Sequence, residues 1–111
     1  MVVDSFQWYQ TEASKTLNFD LEHRDQALNG ALGLAGEAGE IADRYKKAYF
    51  QGHDLERSKV LEELGDALWY IAALAATEGF SLEEVAEFNI AKLRGRYPNG
   101  FNPSDSINRK K

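Results

Sequence analysis

Two acidic pairs, Glu37 with Glu40 and Glu63 with Asp66, are the residues of this chain whose types and spacing best suit chemistry. The members of each pair are three residues apart, so on a helix both carboxylates lie on the same face. Both pairs follow or interrupt nearly uncharged sequence, and Asp66 is the only charged residue in 65–77. Because desolvating like-charged carboxylates together is costly, we expect a cation to compensate them. A hard divalent cation such as Mg²⁺, which prefers oxygen ligands, is the simplest candidate.

Taken singly, each of these spacings is more typical of a solvated helix surface. Three observations together favour a site: the pairs fall on consecutive antiparallel helices, they sit in apolar runs, and no basic residue lies near Asp66. Glu62 complicates the second pair, since it is four residues from Asp66. On a helical wheel Glu62 lies beside Trp69, whereas Glu63 shares a stripe with Asp66 and Tyr70. We therefore favour Glu63 as the ligand.

A cationic strip on the fourth predicted helix has the side chains needed to bind a polyphosphate beside such a metal. Asn89, Lys92 and Arg96 are spaced i, i+3, i+7 and lie on one stripe beside an apolar face. Arginine offers a bidentate fork and lysine a point charge to a polyphosphate, and asparagine can bind a phosphate or sugar oxygen. The alternative is that these long stems simply lie along the edge of a core, which is common.

Three other residues, Lys47, Tyr70 and Trp8, are lesser candidates for the site. Lys47, seven residues after Glu40, projects from the same face and could reach a phosphate or form a salt bridge. Arg44, four residues after Glu40, is expected to form an ordinary pair with it within the helix. Tyr70 lies beside the second acidic pair. Trp8 could stack on a base, although aromatic residues at helical spacing more often pack in a core.

Composition excludes several classes of function. The 111-residue chain, 43% hydrophobic and 28% charged, is long enough for one globular domain. A net charge of −5 argues against a nucleic-acid polymer or an anionic membrane as partner, but not against a nucleotide, because a bound metal reverses the local sign. The absence of cysteine excludes disulfides and thiolate chemistry, and the two isolated histidines argue against a di-iron bundle. No signal peptide or spanning segment is evident, so we expect a cytoplasmic protein.

Helical periodicity dominates the chain and predicts an all-α, four-helix-bundle-like protomer. We expect a single helical domain over 1–101 and a polar, loosely ordered tail over 102–111. The predicted helices cover residues 4–16, 24–50, 55–78 and 81–97. A capping residue starts the first and last of them, and Gly79 is well placed to end the third.

The third predicted helix is apolar on nearly every face. A core stripe is predicted for five of its residues, Leu61, Leu64, Leu68, Ile71 and Ala75. Further apolar residues cover the remaining faces, and about three other helices cannot cover them all. The sequence therefore predicts an obligate homo-oligomer.

The second predicted helix carries glycine at positions 30, 33, 36 and 39. Each glycine costs a helix about 1 kcal/mol relative to alanine, so four of them require a reason. Small residues allow two helices to approach closely, which would bring the two acidic pairs together. The alternative is a loop or kink at Gly30.

Three segments of the chain resemble the MazG-like nucleoside triphosphate pyrophosphohydrolases: 33–43 (GLAGEAGEIAD), 62–70 (EELGDALWY) and 89–98 (NIAKLRGRYP). The resemblance covers roughly 27–101, and the combined ExxE, ExxD and NxxKLxxRY pattern is specific. It implies an all-α fold that assembles as a homodimer or as a homotetramer of two dimers. It also implies Mg²⁺-dependent hydrolysis of a nucleoside or deoxynucleoside triphosphate to the monophosphate and pyrophosphate.

The resemblance also implies roles for individual residues. Mg²⁺, with Mn²⁺ as a possible substitute, would be held by four ligands, Glu37, Glu40, Glu63 and Asp66. Lys92 and Arg96 would hold the phosphates, with Asn89 and Tyr70 as lesser contacts. Some relatives have a further glutamate, proposed to activate water, at the position of Gly36. The catalytic base is thus either a metal-activated water or a carboxylate, of which Glu37 is the first candidate.

Two other classes of function stay open at this point. One is a non-catalytic nucleotide-binding or sensing oligomer, which would bind Mg²⁺-nucleotide without turnover. The other is a helical oligomerisation protein whose acidic residues are structural. The presence of all four acids with the cationic strip disfavours the second of these.

Overall fold

The computed structural model describes residues 1–109, which form five α-helices and no β-strand. The helices are α1 (Phe6–Ser14), α2 (His23–Phe50), α3 (Arg57–Thr77), α4 (Leu82–Arg96) and α5 (Pro103–Ile107). The all-α prediction is confirmed, and the four long helices end within two residues of their predicted bounds, the usual scatter at helix termini. None of the described helices is both long and apolar enough to cross a bilayer.

Local capping explains where the helices begin and end. The Ser5 hydroxyl accepts a hydrogen bond from the backbone N–H of Trp8 (3.0 Å) and starts α1, and Ser81 starts α4 in the same way. At the end of α3, Gly79 adopts φ +79°. The N–H of Phe80 then donates to the carbonyl of Ala75 (2.8 Å), which is the Schellman pattern that terminates helices.

The tail contains a short helix that the sequence reading missed. The side chain of Asn102 accepts a hydrogen bond from the backbone N–H of Asp105 (2.7 Å), and Pro103 occupies the first turn of α5. Proline is well suited to that position because its missing N–H is not needed there. Residues 110–111 of the predicted tail lie outside the described part of the chain, and the division at residue 101 stays a prediction.

The α2–α3 pair is the largest packing contact of the protomer. A short loop joins the two helices, so they are antiparallel. Gly30 lies against Leu74, where an added methyl carbon would be 3.2 Å from the Leu74 Cβ, and Gly33 lies directly against the ring of Tyr70. These contacts confirm that the first two glycines permit close approach, and α2 runs through Gly30 without a break. A methyl added at Gly36 or Gly39 would meet nothing within 4 Å.

α1 and α4 cover one side of α3. Tyr9 and Ala13 of α1 pack against a small buried cluster made of Ala72, Ala75 and Leu82. Gln10 of α1 forms hydrogen bonds with the segment that joins α3 to α4. Its amide N–H donates to the carbonyl of Phe80 (3.0 Å), and its amide oxygen accepts from the N–H of Leu82 (3.1 Å). The position of α1 on α3 is therefore set by polar contacts as well as by packing.

Of the core stripe predicted on α3, Ala75 is buried in the isolated protomer and the four larger residues are exposed. Leu61 and Leu64 are 72% and 54% exposed, and Leu68 and Ile71 are exposed as well. The buried face of α3 consists of Ala75 together with Ala72 and Ala73, and it includes one charged residue, Glu63. Helical periodicity shows that a face must be covered, but it does not show whether the same chain or another covers it.

Candidate active site

The two acidic pairs meet on facing sides of α2 and α3. Continuing the antiparallel register from Gly33 against Tyr70 by one turn in each direction brings Glu37 opposite Asp66. The electrostatics agree, because the pKa of Glu37 is raised above its ordinary value. Burial is the main cause, and the negative charges of Glu40, Asp66 and Glu63 add to it. The four carboxylates chosen from the sequence thus lie in one cluster.

Glu37 has an unmet requirement for a partner. One of its carboxylate oxygens, Oε2, is shielded from solvent and accepts no hydrogen bond. A buried oxygen in that condition is costly unless a donor or a cation compensates it. Three negative neighbours make a cation the natural solution.

Glu63 is compensated by an arginine. Its side chain is 10% exposed, and its Oε2 lies 2.8 Å from Nε of Arg44. This corrects the expectation that Arg44 pairs with Glu40 within its own helix. Arg44 lies on the stripe of α2 that faces α3, so its guanidinium crosses between the helices. The close contact with the Glu63 side chain is the largest cause of the raised pKa of Arg44, and burial opposes it.

The donor set fits a divalent cation by its chemistry, since four carboxylates are hard oxygen ligands of the kind Mg²⁺ and Mn²⁺ accept. The orphaned oxygen of Glu37 supports the fit. Among residues 1–109, however, no three acidic or histidine side chains converge closely enough to hold a metal as they stand. The cluster is assembled, but its side chains are not yet in a ligand geometry.

A polar cleft of about 310 Å³ opens beside the cluster, between the end of α2, the start of α3 and the loop that joins them. Acidic and basic side chains line it: Glu40, Asp43, Arg44, Lys47, His53, Asp54, Glu56 and Glu63. Nζ of Lys47 lies 2.9 Å from Oδ2 of Asp43, and this bond is the main reason that the pKa of Asp43 is lowered. Of the two roles considered for Lys47, the salt bridge is the one observed.

The aromatic candidates occupy different places. Tyr70 is half-buried where α2 and α3 cross, and its ring meets that of Trp69 edge-on at 5.1 Å. Trp8 is half-buried on α1. Its neighbour Tyr9 has a raised pKa, caused first by burial and then by the charge of Asp66. Tyr9 is therefore the α1 aromatic next to the acidic cluster, whereas the sequence analysis named Trp8 as the candidate on this helix.

The cationic strip of α4 is not joined to the cluster within the protomer. Asn89 and Lys92 are exposed, and no ion pair of the described residues links the strip to the four carboxylates. Arg96 is half-buried with its guanidinium 6.0 Å from the centre of the Tyr97 ring. Its Nε is shielded from solvent and has no hydrogen-bond partner. The role of the strip stays a prediction.

Arg44 and Asp43 are the site residues that sequence reasoning underrated. The signal for Arg44 was present, because it lies seven residues after Glu37 and so on the stripe that faces α3. Its pairing with Glu63 follows once the register of the two helices is known. Asp43 is visible only from the shape of the cleft.

Comparison with known proteins shows the family of this all-α chain. A family model of the MazG nucleotide pyrophosphohydrolase domain matches residues 26–101, and the chain belongs to this family. Its members generally use a divalent metal. The chain is also similar to the Gene 37 protein of Mycobacterium phage L5, with 33% identity over 109 residues that cover 91% of this chain and 96% of the relative. No solved structure matches the chain significantly.

Proposed function

We propose that this protein is a Mg²⁺-dependent pyrophosphohydrolase that converts a nucleoside or deoxynucleoside triphosphate to the monophosphate and pyrophosphate. One observation carries the proposal: α2 and α3 bring four carboxylates from two separate motifs into a single cluster beside a polar cleft. Such a concentration of negative charge destabilises the fold by itself, and a metal-bound polyphosphate accounts for it.

The four carboxylates would hold the metal, Mg²⁺ or Mn²⁺ in its place. When bound, the metal supplies charge stabilisation at the reacting phosphorus and lowers the pKa of water. Glu37 is the carboxylate best suited to accept the proton of the attacking water. Its raised pKa and its unpartnered Oε2 favour a basic role, since a catalytic base works best with a pKa near the operating pH.

Cations near the cluster would bind the phosphates. Lys47 already lines the cleft, and its bond to Asp43 is exposed enough to exchange for a phosphate. Lys92 and Arg96, with Asn89, are proposed to hold the leaving pyrophosphate, and the unpartnered Nε of Arg96 supports a ligand there.

Two aromatic residues would contact the rest of the nucleotide. Tyr70 lies at the edge of the cluster and is proposed to border the sugar. Trp8 is proposed to stack on the base, with its half-buried ring available at the surface of α1.

We also propose that the active form is a homodimer or a homotetramer. The protomer has an accessible surface of 8540 Å², against about 6200 Å² for a compact monomer of its 12.5 kDa mass. Its radius of gyration is 17.0 Å, against about 13 Å for a compact chain of this length. The excess surface is of the size that obligate interfaces bury. Leu61 and Leu64 are central to the uncovered face.

Light scattering coupled to size exclusion tests the assembly. The wild type should elute with at least twice the mass of the chain. Leu64→Glu should shift the protein to smaller species because a charge cannot be buried unpaired in an apolar interface. A monomeric wild type at micromolar concentration would contradict this part of the proposal.

The reaction is tested by incubating the purified protein with each nucleoside and deoxynucleoside triphosphate and Mg²⁺, and by resolving the products. Monophosphate with pyrophosphate supports the proposal, whereas diphosphate with orthophosphate overturns it. Saturable binding without turnover would favour a sensing oligomer instead.

A matched pair of variants ties the activity to the cluster. Asp66→Asn should lower kcat by about 100-fold or more, the usual effect of removing one group that stabilises transition-state charge. Glu62→Gln removes a carboxylate from the same helix that is 66% exposed and pairs with Lys59, so it should retain activity. Helical circular dichroism should be unchanged in both.

A further inference from the structure

Glu63 is the one buried charged residue among residues 1–109, and its compensation is unusual for a metal ligand. A carboxylate removed from water requires a cation or several hydrogen-bond donors. Glu63 obtains its cation from Arg44 across the α2–α3 contact, 2.8 Å away. None of the other three carboxylates of the cluster has an ion pair in the described residues.

The contact between Arg44 and Glu63 is close but poorly directed. Nε of Arg44 and Oε2 of Glu63 are both shielded from solvent, and neither makes an aligned hydrogen bond. The pair therefore lacks the fixed geometry of a bidentate arginine–carboxylate pair. A cation of higher charge can replace the guanidinium without breaking an oriented hydrogen bond.

The guanidinium of Arg44 borders a cleft into which it can move. Its side chain is 35% exposed, and it lines the same cleft as Lys47 and His53. A guanidinium released from Glu63 would stay in that cleft, next to a second cation. Two cations there would form a receptor for an anionic group.

We propose that Arg44 is an internal counter-ion that exchanges with the metal. In the metal-free protein Arg44 neutralises Glu63. When metal binds, the Glu63 carboxylate passes from Arg44 to the metal, and the released guanidinium binds the phosphates of the substrate in the cleft. The inference rests on the proposed function and adds an order of events, since phosphate contacts by Arg44 become available only after the metal is in place.

Metal affinity of the variant Arg44→Gln tests the exchange directly. Removing the competing cation should tighten Mn²⁺ binding about tenfold, since a unit charge at this range changes the binding free energy by an amount of that order. The matched control is Lys46→Gln, which removes the same charge two residues along α2 from an exposed side chain outside the cleft. It should leave Mn²⁺ affinity within about twofold because exposed charges are screened. Mn²⁺ titrations followed by electron paramagnetic resonance give both values without any turnover.

A second measurement uses the wild-type protein and so does not depend on the folding of a variant. Arginine-directed dicarbonyl labelling, mapped by mass spectrometry, should be several-fold faster at Arg44 with Mn²⁺ than with EDTA. Inorganic pyrophosphate added to the Mn²⁺-loaded protein should slow it again. Arg24, whose side chain is 82% exposed, serves as an internal reference and should label at a constant rate.

The outcomes separate the two proposals. Unchanged or weaker Mn²⁺ binding by Arg44→Gln, or labelling at Arg44 that does not respond to Mn²⁺, overturns the exchange and leaves the proposed function intact. A wild-type protein that binds no Mn²⁺ overturns both.

Discussion

The two ends of the α2–α3 contact use the same helical stripe in opposite ways. At the glycine end, Gly30 and Gly33 lie against Leu74 and Tyr70 with no space left for a side chain. At the carboxylate end, one turn further along α2, Glu37, Glu40, Glu63 and Asp66 face each other, with Arg44 between the helices. One end is apolar and fully packed, and the other is polar and borders an open cleft.

This difference shows how a small protein can hold like charges together. Carboxylates repel, and alone they would push the helices apart or shift their register. The glycine end fixes both the distance and the register through steric contact, because a packed interface resists displacement. The carboxylate end can then carry a charge arrangement that is unfavourable until a cation binds.

The largest expected effect comes from filling the glycine end. Gly33→Ala places a methyl group in the ring of Tyr70 and should destabilise the protein by about 1–3 kcal/mol, as overpacking typically does. Gly36→Ala is the matched control, since a methyl there meets nothing within 4 Å, and it should stabilise the helix by up to about 1 kcal/mol. Urea denaturation measures both. Effects of equal sign would contradict the contrast between the two positions.

The next effect concerns the hydrogen bonds by which Gln10 of α1 holds the segment between α3 and α4. Gln10→Met keeps the length of the side chain but removes its hydrogen bonds to Phe80 and Leu82. Leaving these backbone groups unpaired should cost about 1–2 kcal/mol. Gln7→Met, on an exposed position of the same helix, is the control and should be neutral. Thermal denaturation measures both variants.

A smaller effect of the opposite sign is expected at the carboxylate end. Glu37→Gln removes one of four repelling charges, so in EDTA its melting temperature should exceed that of the wild type. Added Mg²⁺ should stabilise the wild type and leave the variant nearly unchanged, because ligand binding to the folded state is what raises stability. Glu87→Gln removes the same charge from an exposed side chain of α4 and is the control. Its melting temperature in EDTA and its stabilisation by Mg²⁺ should both match those of the wild type.

The smallest effect on stability is expected at Lys47. Its ion pair with Asp43 is exposed, and such pairs contribute about 0–1 kcal/mol. Lys47→Gln should therefore unfold at nearly the wild-type urea concentration. If Lys47 binds phosphate, the same variant should raise KM for the nucleotide several-fold. A large loss of stability would instead assign Lys47 to the fold.

Much of the site could be predicted from sequence because its signal is local. Carboxylates three residues apart share a face of any helix, so the four ligand candidates could be chosen once the helices were assigned correctly. The Arg44–Glu63 pair required the register of two helices, which depends on the contact of Gly33 with Tyr70. Register is a tertiary property, and helical periodicity does not contain it.

The fold was predictable to a similar depth. Four helices followed from periodicity and capping, but α5 was missed because the polar tail was expected to be loosely ordered, although Pro103 suits the first turn of a helix. The stripe containing Leu61 and Leu64 was assigned to the core of the protomer, yet it is exposed. Apolar periodicity reports that a surface must be buried, and it is silent on which chain buries it.

If the proposed assembly forms, the sparse interior of the protomer links its folding to its concentration. Among residues 1–109 the buried apolar side chains are Ala72, Ala73, Ala75 and Leu82, three of which are among the smallest available. So small an interior contributes little hydrophobic free energy, and in the proposed homo-oligomer contacts between copies would provide the remainder. Dilution then acts as a denaturant, since mass action makes the melting temperature of an obligate assembly rise with protein concentration. The amount of this protein in a cell would thus help to decide whether it is folded.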